Sequence, residues 1–290
     1  ANGVAIGLKP FTYPVISDVT IKNHVLTNWI FFIFFQSETE GDFILNRIKF
    51  ENNSYDSGTK SEFGGGTGIW IAESEDIDYM SAFNLVFERC DFLYNRSPEN
   101  GGAISYGGSP RLQSVEMTFA NCSFKNNRCE HYYGGACRFE TNKPVSIIDC
   151  TFDNNTAAMN SVTGGSGGGA IFIGETVQSI LIDNCNFSDC FAYRGSFIFT
   201  NGALKNISIS RNFFSTLQEN QINSVYIEVD SQVTEFYFDS NQFVELKCKG
   251  EDGGAGLHIK TGAVIEVTNC KFDSCVGSGE NSGMIRIPDE

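Results

Sequence analysis

Ten cysteines, three histidines and one acidic run are the residues of this 290-residue chain whose types could do chemistry. Their spacing decides which chemistry. Cys90, Cys122, Cys150, Cys185 and Cys270 each stand two residues before a phenylalanine. Cys190 and Cys275 stand three residues after one, Cys129 and Cys248 five after, and Cys137 follows a Gly-Gly-Ala. Neither this pattern nor the repeated Cys-x-Phe-x-x-Cys at 185–190 and 270–275 has zinc-site spacing, and no partner ligands accompany it. His24 takes an inward position, His131 sits in a turn beside Tyr132 and Tyr133, and His258 points outward between Leu257 and Ile259. They do not converge, so no histidine-based nucleophile or metal centre is expected, and no cofactor. The run Glu73-Ser74-Glu75-Asp76-Ile77-Asp78 has the oxygen ligands that suit Ca²⁺. A solvated acidic loop is the simpler reading.

The elements that position these residues repeat. Eight times the chain reads apolar-x-apolar-x-x-[Cys/Asn]-x-Phe, ending at Phe50, Phe92, Phe124, Phe152, Phe187, Phe214, Phe243 and Phe272. Five and seven residues before each Phe, all 16 positions are apolar, in a chain that is 41% apolar overall. Two residues before each Phe stand Ile48, Cys90, Cys122, Cys150, Cys185, Asn212, Asn241 and Cys270. A weaker ninth copy opens the chain at Val19, Ile21, His24 and Leu26. A second phrase, small-small-apolar-x-apolar, follows: Gly102-Ala103-Ile104, Gly135-Ala136-Cys137, Gly169-Ala170-Ile171 and Gly195-Ser196-Phe197. Looser forms begin at Gly68, Gly256 and Gly283.

Both phrases alternate with period two, which is the strand signal, and Gly, Asn, Asp and Ser punctuate them. One such unit cannot bury its apolar face alone, whereas stacked units can. The expected fold is all-β: a parallel β-helix of about eight to nine coils, right-handed because parallel crossovers strongly prefer that hand. Successive Phe anchors lie 42, 32, 28, 35, 27, 29 and 29 residues apart, so irregular turns absorb the difference. Several units are too short for a four-stranded propeller blade of about 40 to 45 residues. One continuous domain over 1–290 is expected, with 1–42 an irregular first coil and 43–290 the regular repeats. Stacked Phe and Cys/Asn columns fill its interior. An Asn three residues after Phe is suited to a left-handed turn and to a side-chain ladder. Stacked neighbours would fall in the disulfide Cα window of about 4.4 to 6.8 Å. Cys90–Cys122 and Cys150–Cys185 are therefore candidate pairs, and an unpaired thiol column acting as apolar filling is the alternative.

The formal net charge is −15 and the pI near 4.6, which argues against a nucleic-acid partner. The apolar run Trp29–Phe35 is seven residues, far short of the roughly 20 of a membrane span. It reads as a strand of the first coil. The chain opens at Ala1 with no signal-like run and stops after a strand at Ile287-Pro288-Asp289-Glu290, with no polar cap. A processed chain, part of a longer protein, or one link of an end-to-end assembly is expected. Six Asn-x-Ser/Thr sequons occur. Of these, Asn52, Asn95 and Asn154 are expected to be exposed glycan acceptors, and Asn121 and Asn186 less accessible.

The Phe-x-x-Asn tetrapeptide stands at Phe50–Asn53, Phe92–Asn95, Phe124–Asn127 and Phe152–Asn155. Gly-Gly-Ala-apolar stands at Gly101–Ile104, Gly134–Cys137 and Gly168–Ile171. Their alternation resembles the chlamydial polymorphic membrane proteins and similar repeat proteins of parasitic protists. That resemblance implies a parallel β-helix displayed at the cell surface and linked to adhesion, with no catalytic residues to carry over. Many parallel β-helices cleave acidic polysaccharides, and such a site needs clustered carboxylates or a basic residue on one outer face. The outward column here is mixed: Lys49, Asp91, Ser123, Thr151, Asn186, Phe213, Gln242 and Lys271. Arg47-Ile48-Lys49 resembles a short polygalacturonase motif without its companion Gly-His-Gly. The expected function is therefore non-enzymatic: an extracellular or cell-surface glycoprotein acting in adhesion or structural assembly. Its partners would be other chains at the open solenoid ends, or a host or matrix surface. The alternative is a polysaccharide-binding or polysaccharide-degrading enzyme with its site on a long turn.

Overall fold

The computed structural model describes residues 5–7, 15–26, 32–35, 41–55, 69–73, 83–106, 115–157, 167–202, 204–216, 225–229, 233, 235–249, 254–260, 265–278 and 283–286. Among them there is no helix. Three sheets of ten, nine and nine strands carry the fold, with two short sheets of four and two strands beside them. Each strand pairs in parallel with its equivalent one coil away, as Ser123–Lys125 does with Asp91–Leu93 on one side and Thr151–Asp153 on the other. The chain is a parallel β-helix.

One coil shows how local sequence makes the shape. Val115–Ala120 lies in the second sheet, Ser123–Lys125 in the third, Arg128–Cys129 in the fourth and Cys137–Phe139 in the first. Val115, Met117 and Phe119 point inward and are fully buried, while Glu116 between them is exposed. Period-two alternation thus selects the inner face. The eight Phe anchors stack in one unbroken column. Phe124 and Phe152, for example, have ring centroids 4.7 Å apart and planes within 1° of parallel. That distance is the spacing between neighbouring strands, so the backbone ladder sets the ring spacing. The weak first copy is displaced by five residues: Ile21 lies opposite Phe50 and Val25 opposite Ser54, so Ile21 rather than Leu26 takes the Phe position and His24 falls in the column of Asn53. In the apolar run that opens the chain, Phe32–Phe35 forms a strand paired with the one at Ile69–Glu73.

Each coil turns at corners of fixed chemistry. The residue three before Phe has positive φ in every coil from Arg47 to Asn269, and so do Asn52, Tyr94, Asn126, Asn154, Asp189, Glu245 and Ser274, each two after Phe. Among the described residues, ten of the seventeen non-glycine residues in this conformation are Asn or Asp, whose short polar side chains tolerate it best. This corrects the expectation for the Asn three residues after Phe. The left-handed residue is the one before it, and the Asn itself turns inward.

The third corner uses glycine, with Gly101, Gly134, Gly168 and Gly195 at φ between 52° and 72°. The next residue meets the neighbouring coil's backbone: a Cβ on Gly135 would sit 2.0 Å from the Gly169 carbonyl oxygen. The register here corrects the second phrase at its fourth copy. Ile171 lies opposite Ile198, so Gly195 matches Gly168 rather than Gly169, and Phe197 takes the alanine position. Phe197 is fully buried there, its ring 5.5 Å from that of Phe214. A hydrophobic residue one step early misaligned the phrase.

The acidic run beyond Glu73, residues 29–31, Ile287 and most of the long turns lie outside the described residues.

Candidate functional site

Cys90, Cys122, Cys150, Cys185, Cys190 and Cys270 are gathered, with asparagines, into two ladders that join coil to coil. In the first, two residues before Phe, the backbone N–H of each member donates to the side chain one coil on. Cys90 donates to the Cys122 sulfur, Cys122 to Cys150, and Cys150 to Cys185, each at 3.4 Å. Cys185 then donates to Asn212 Oδ1 at 2.8 Å, and Asn212 to Asn241 Oδ1 at 3.0 Å. The same side chains donate back to carbonyls of the preceding coil. Cys122 Sγ reaches Phe87 O at 3.4 Å, and Asn212 Nδ2 reaches Ile182 O at 3.0 Å. Thiol and amide therefore do one job: each is a short side chain with a donor and an acceptor. Cys270 closes the column, half-buried.

The second ladder runs three residues after Phe. Asn53, Asn95, Asn127 and Asn155 are fully buried. The backbone N–H of Asn95 donates to Asn127 Oδ1 at 3.1 Å and that of Asn127 to Asn155 Oδ1 at 3.0 Å. Asn155 Nδ2 passes the chain to Cys190 Sγ at 3.7 Å. Cys190, three residues after Phe187, takes the position that asparagine holds in the coils before it.

The structure settles the two thiol alternatives. Cys90, Cys122, Cys129, Cys137, Cys150, Cys185, Cys190, Cys270 and Cys275 are all free. The pairs Cys90–Cys122 and Cys150–Cys185 are hydrogen-bonded neighbours rather than disulfides. Burial pushes the thiols of Cys122, Cys137 and Cys185 up, and that of Cys190 to about 12. Such thiols are structural.

Glycan acceptors sort by the same one-residue rule. Asn52 and Asn154 stand two after Phe and are exposed. Asn95 stands three after and is fully buried in the second ladder, which removes it as an acceptor. Asn121 and Asn186, expected to be less accessible, are both exposed. Each precedes an inward residue, and a one-residue step along a strand or corner reverses the side it faces.

Sequence reading missed a group of rings outside the coil. Phe172, Phe199, Tyr226 and His258 occupy equivalent outward positions of the first sheet on successive coils. They are nonetheless only 3–7% exposed. Tyr133 stacks on Phe172 at 4.2 Å, and Tyr226 on His258 at 4.4 Å. His258 does point outward, as expected, but into this aromatic stripe rather than into water. The recurrence of aromatic residues at the x position of the second phrase was the available signal.

Outer carboxylates are held by neighbouring coils. Asp183 accepts from Arg211 Nε at 2.9 Å and from Ser210 Oγ at 2.8 Å. Asp239 accepts from Thr268 Oγ1 at 2.6 Å and Asn269 Nδ2 at 2.9 Å. The Arg211 hydrogen bond holds the Asp183 carboxyl below its ordinary 3.8, and the Thr268 hydrogen bond does the same for Asp239. A depressed carboxylate contributes stability above its unfolded pKa and loses it as pH falls through the folded value. The Asp183–Arg211 pair is partly exposed, with Arg211 65% so, and solvent screening keeps its contribution small. The urea midpoint gap between the native chain and Arg211→Gln should therefore be small at pH 6 and close as the pH falls through the depressed Asp183 value, below the ordinary 3.8. A gap that widens on acidification would contradict the assignment. Among the described residues, no group of three or more His, Cys, Asp or Glu side chains is placed to hold a metal ion.

Residues 149–174, which run from the Asp149 corner through Phe152 and Asn155 to the Gly168-Gly169-Ala170 corner, match the family described as the Chlamydia polymorphic membrane protein repeat. No curated protein matches the chain, and no solved structure does. The matched segment spans one ladder member of each kind and the glycine corner, and the coils stacked around it reuse those corners in register, so residues 149–174 are similar to one repeat of that family.

Proposed function

We propose that this chain is a non-enzymatic β-solenoid displayed at a cell surface or outside the cell, where it acts in adhesion or structural assembly. The observation that carries this reading is that the reactive residue types are spent on joining coils. Cysteine and asparagine side chains fill the two ladders, and outer aspartates are engaged by the next coil. What remains for recognition is a long outer surface with irregular turns, which is where solenoids bind. The match to a repeat of surface proteins supports the setting. Under this reading the partners are host or matrix surfaces along the outer faces, and other protein chains at the end coils, where Val25 is 70% and Val276 57% exposed.

Beads coated with the full chain should adhere to cell monolayers or to immobilised extracellular-matrix material. Incubation with pectins and other uronate polymers should release no product. Product release that disappears in Asp91→Asn or Lys49→Gln would replace this reading with a polysaccharide-degrading one, since both residues lie in the exposed column beside the Phe anchors.

A further inference from the structure

Among the described residues, seventeen non-glycine residues have positive φ, and Tyr94 is the one aromatic among them. Its column, two after Phe, holds Asn52 and Asn126 on the adjacent coils. Those types suit the left-handed conformation, whereas a bulky ring does not. Asn52 donates to Asn23 Oδ1 at 2.9 Å and Asn154 to Asn126 Oδ1 at 2.6 Å, so the residues on either side of Tyr94 build an outer amide ladder that Tyr94 interrupts. The ring is 56% exposed, so packing does not account for it. Strain kept without a packing return points to a site.

The surroundings supply recognition chemistry. Arg96 lies two residues on, within about 7 Å along the extended backbone. It pairs in register with Arg128 on the next coil. Both guanidiniums turn to a single carboxylate: Glu130 is hydrogen-bonded by Arg96 and lies 4.0 Å from Arg128 Nε. The two arginine side chains are 60% and 59% exposed. One carboxylate between two guanidiniums leaves a surplus positive charge beside an exposed ring, on a chain whose net charge is −15. A flat aromatic face suits a pyranose ring, and a planar guanidinium fork suits a carboxylate.

We propose that the corner formed by Tyr94, Arg96 and Arg128 binds a uronate residue of an acidic polysaccharide, the sugar ring on Tyr94 and its carboxylate on the arginines. This rests on the surface reading above and names a ligand class for it. The test uses the full chain, calorimetric titration with an oligogalacturonate, the same oligomer after carboxyl reduction, and polyglutamate. The oligogalacturonate should bind, with the reduced oligomer and polyglutamate at least about tenfold weaker. Tyr94→Asn should weaken binding about tenfold, the loss of one aromatic anchor, while raising the urea midpoint because the strain is relieved. Arg96→Gln should weaken binding and flatten its salt dependence. Unchanged binding by Tyr94→Asn, a lowered midpoint in that variant, or equal binding of the reduced oligomer or of polyglutamate would overturn the site. A chain that binds the oligomer but coats beads that fail to adhere would sink only the adhesion reading, whereas adhesion without oligomer binding would sink only this corner.

Discussion

Replacing Asn127 with leucine should destabilise the solenoid by about 3 to 6 kcal/mol, since leucine fills the space and restores none of the bonds. Asn127 Oδ1 accepts from the Asn95 backbone N–H at 3.1 Å and from Asn95 Nδ2 at 3.0 Å. Its Nδ2 donates to Phe92 O at 2.8 Å and to Asn155 Oδ1 at 3.0 Å. Leucine would leave the Asn95 N–H without its acceptor, take one of two acceptors from the Asn95 amide, which keeps only Phe50 O, and remove the donor to the Phe92 carbonyl, at about 1 to 3 kcal/mol each, with some of that recovered by relaxation. Stabilities of whole domains are about 5 to 15 kcal/mol, so the effect is a large fraction of the total. Asn127→Cys should be milder, because Cys190 already serves in the same column with its sulfur donating to Phe152 O at 3.7 Å. Urea unfolding followed by circular dichroism is the check. A loss under about 1 kcal/mol for the leucine variant would mean that the ladder is incidental to stability.

Truncating Phe152 to alanine should cost about 3 to 5 kcal/mol. The ring is fully buried and stacked 4.7 Å from Phe124 on one side and 4.9 Å from Phe187 on the other. Backbone ladders on three sides hold the coil perimeter, so the void cannot collapse. Phe152→Leu should lose less, because more of the volume is kept. In a solenoid each coil contacts only its neighbours, so the alanine variant should also unfold less cooperatively, with the coils on either side of the gap separating in the transition. Paired unfolding curves for the two variants test this. An alanine variant within about 1 kcal/mol of the native chain would refute the column as the source of stability.

Sequence reading reached some parts of this molecule and missed others for identifiable reasons. The Phe register from Phe50 to Phe272 was legible because eight copies of one apolar spacing repeat through the chain, and stacking then leaves one consistent alignment. The buried Cys column followed from that register. Corner geometry was not legible to one residue. Asn52 and Asn53 are adjacent and identical in type, yet one takes φ of 52° and faces solvent while the other is fully buried. Composition does not separate them, and only the position of the bend does. Asn95 was misplaced for the same reason. Gly195 was misaligned because Phe197 reads as the first apolar residue of a strand, whereas opposite Ala170 it is the last residue of a corner.

The sequence by itself determined the architecture, the inward faces of the strands and the order in which coils stack. Those follow from local alternation and from a repeat that cannot bury its apolar face except against its own neighbours. Only the tertiary structure decided which polar side chains are inside, that thiols and amides share one hydrogen-bonding role, that four outward rings are buried, and that Tyr94 stands exposed and strained beside two arginines. Each of these depends on contacts between residues about 30 positions apart, set by where a corner bends and what packs over it, and local periodicity carries no record of either.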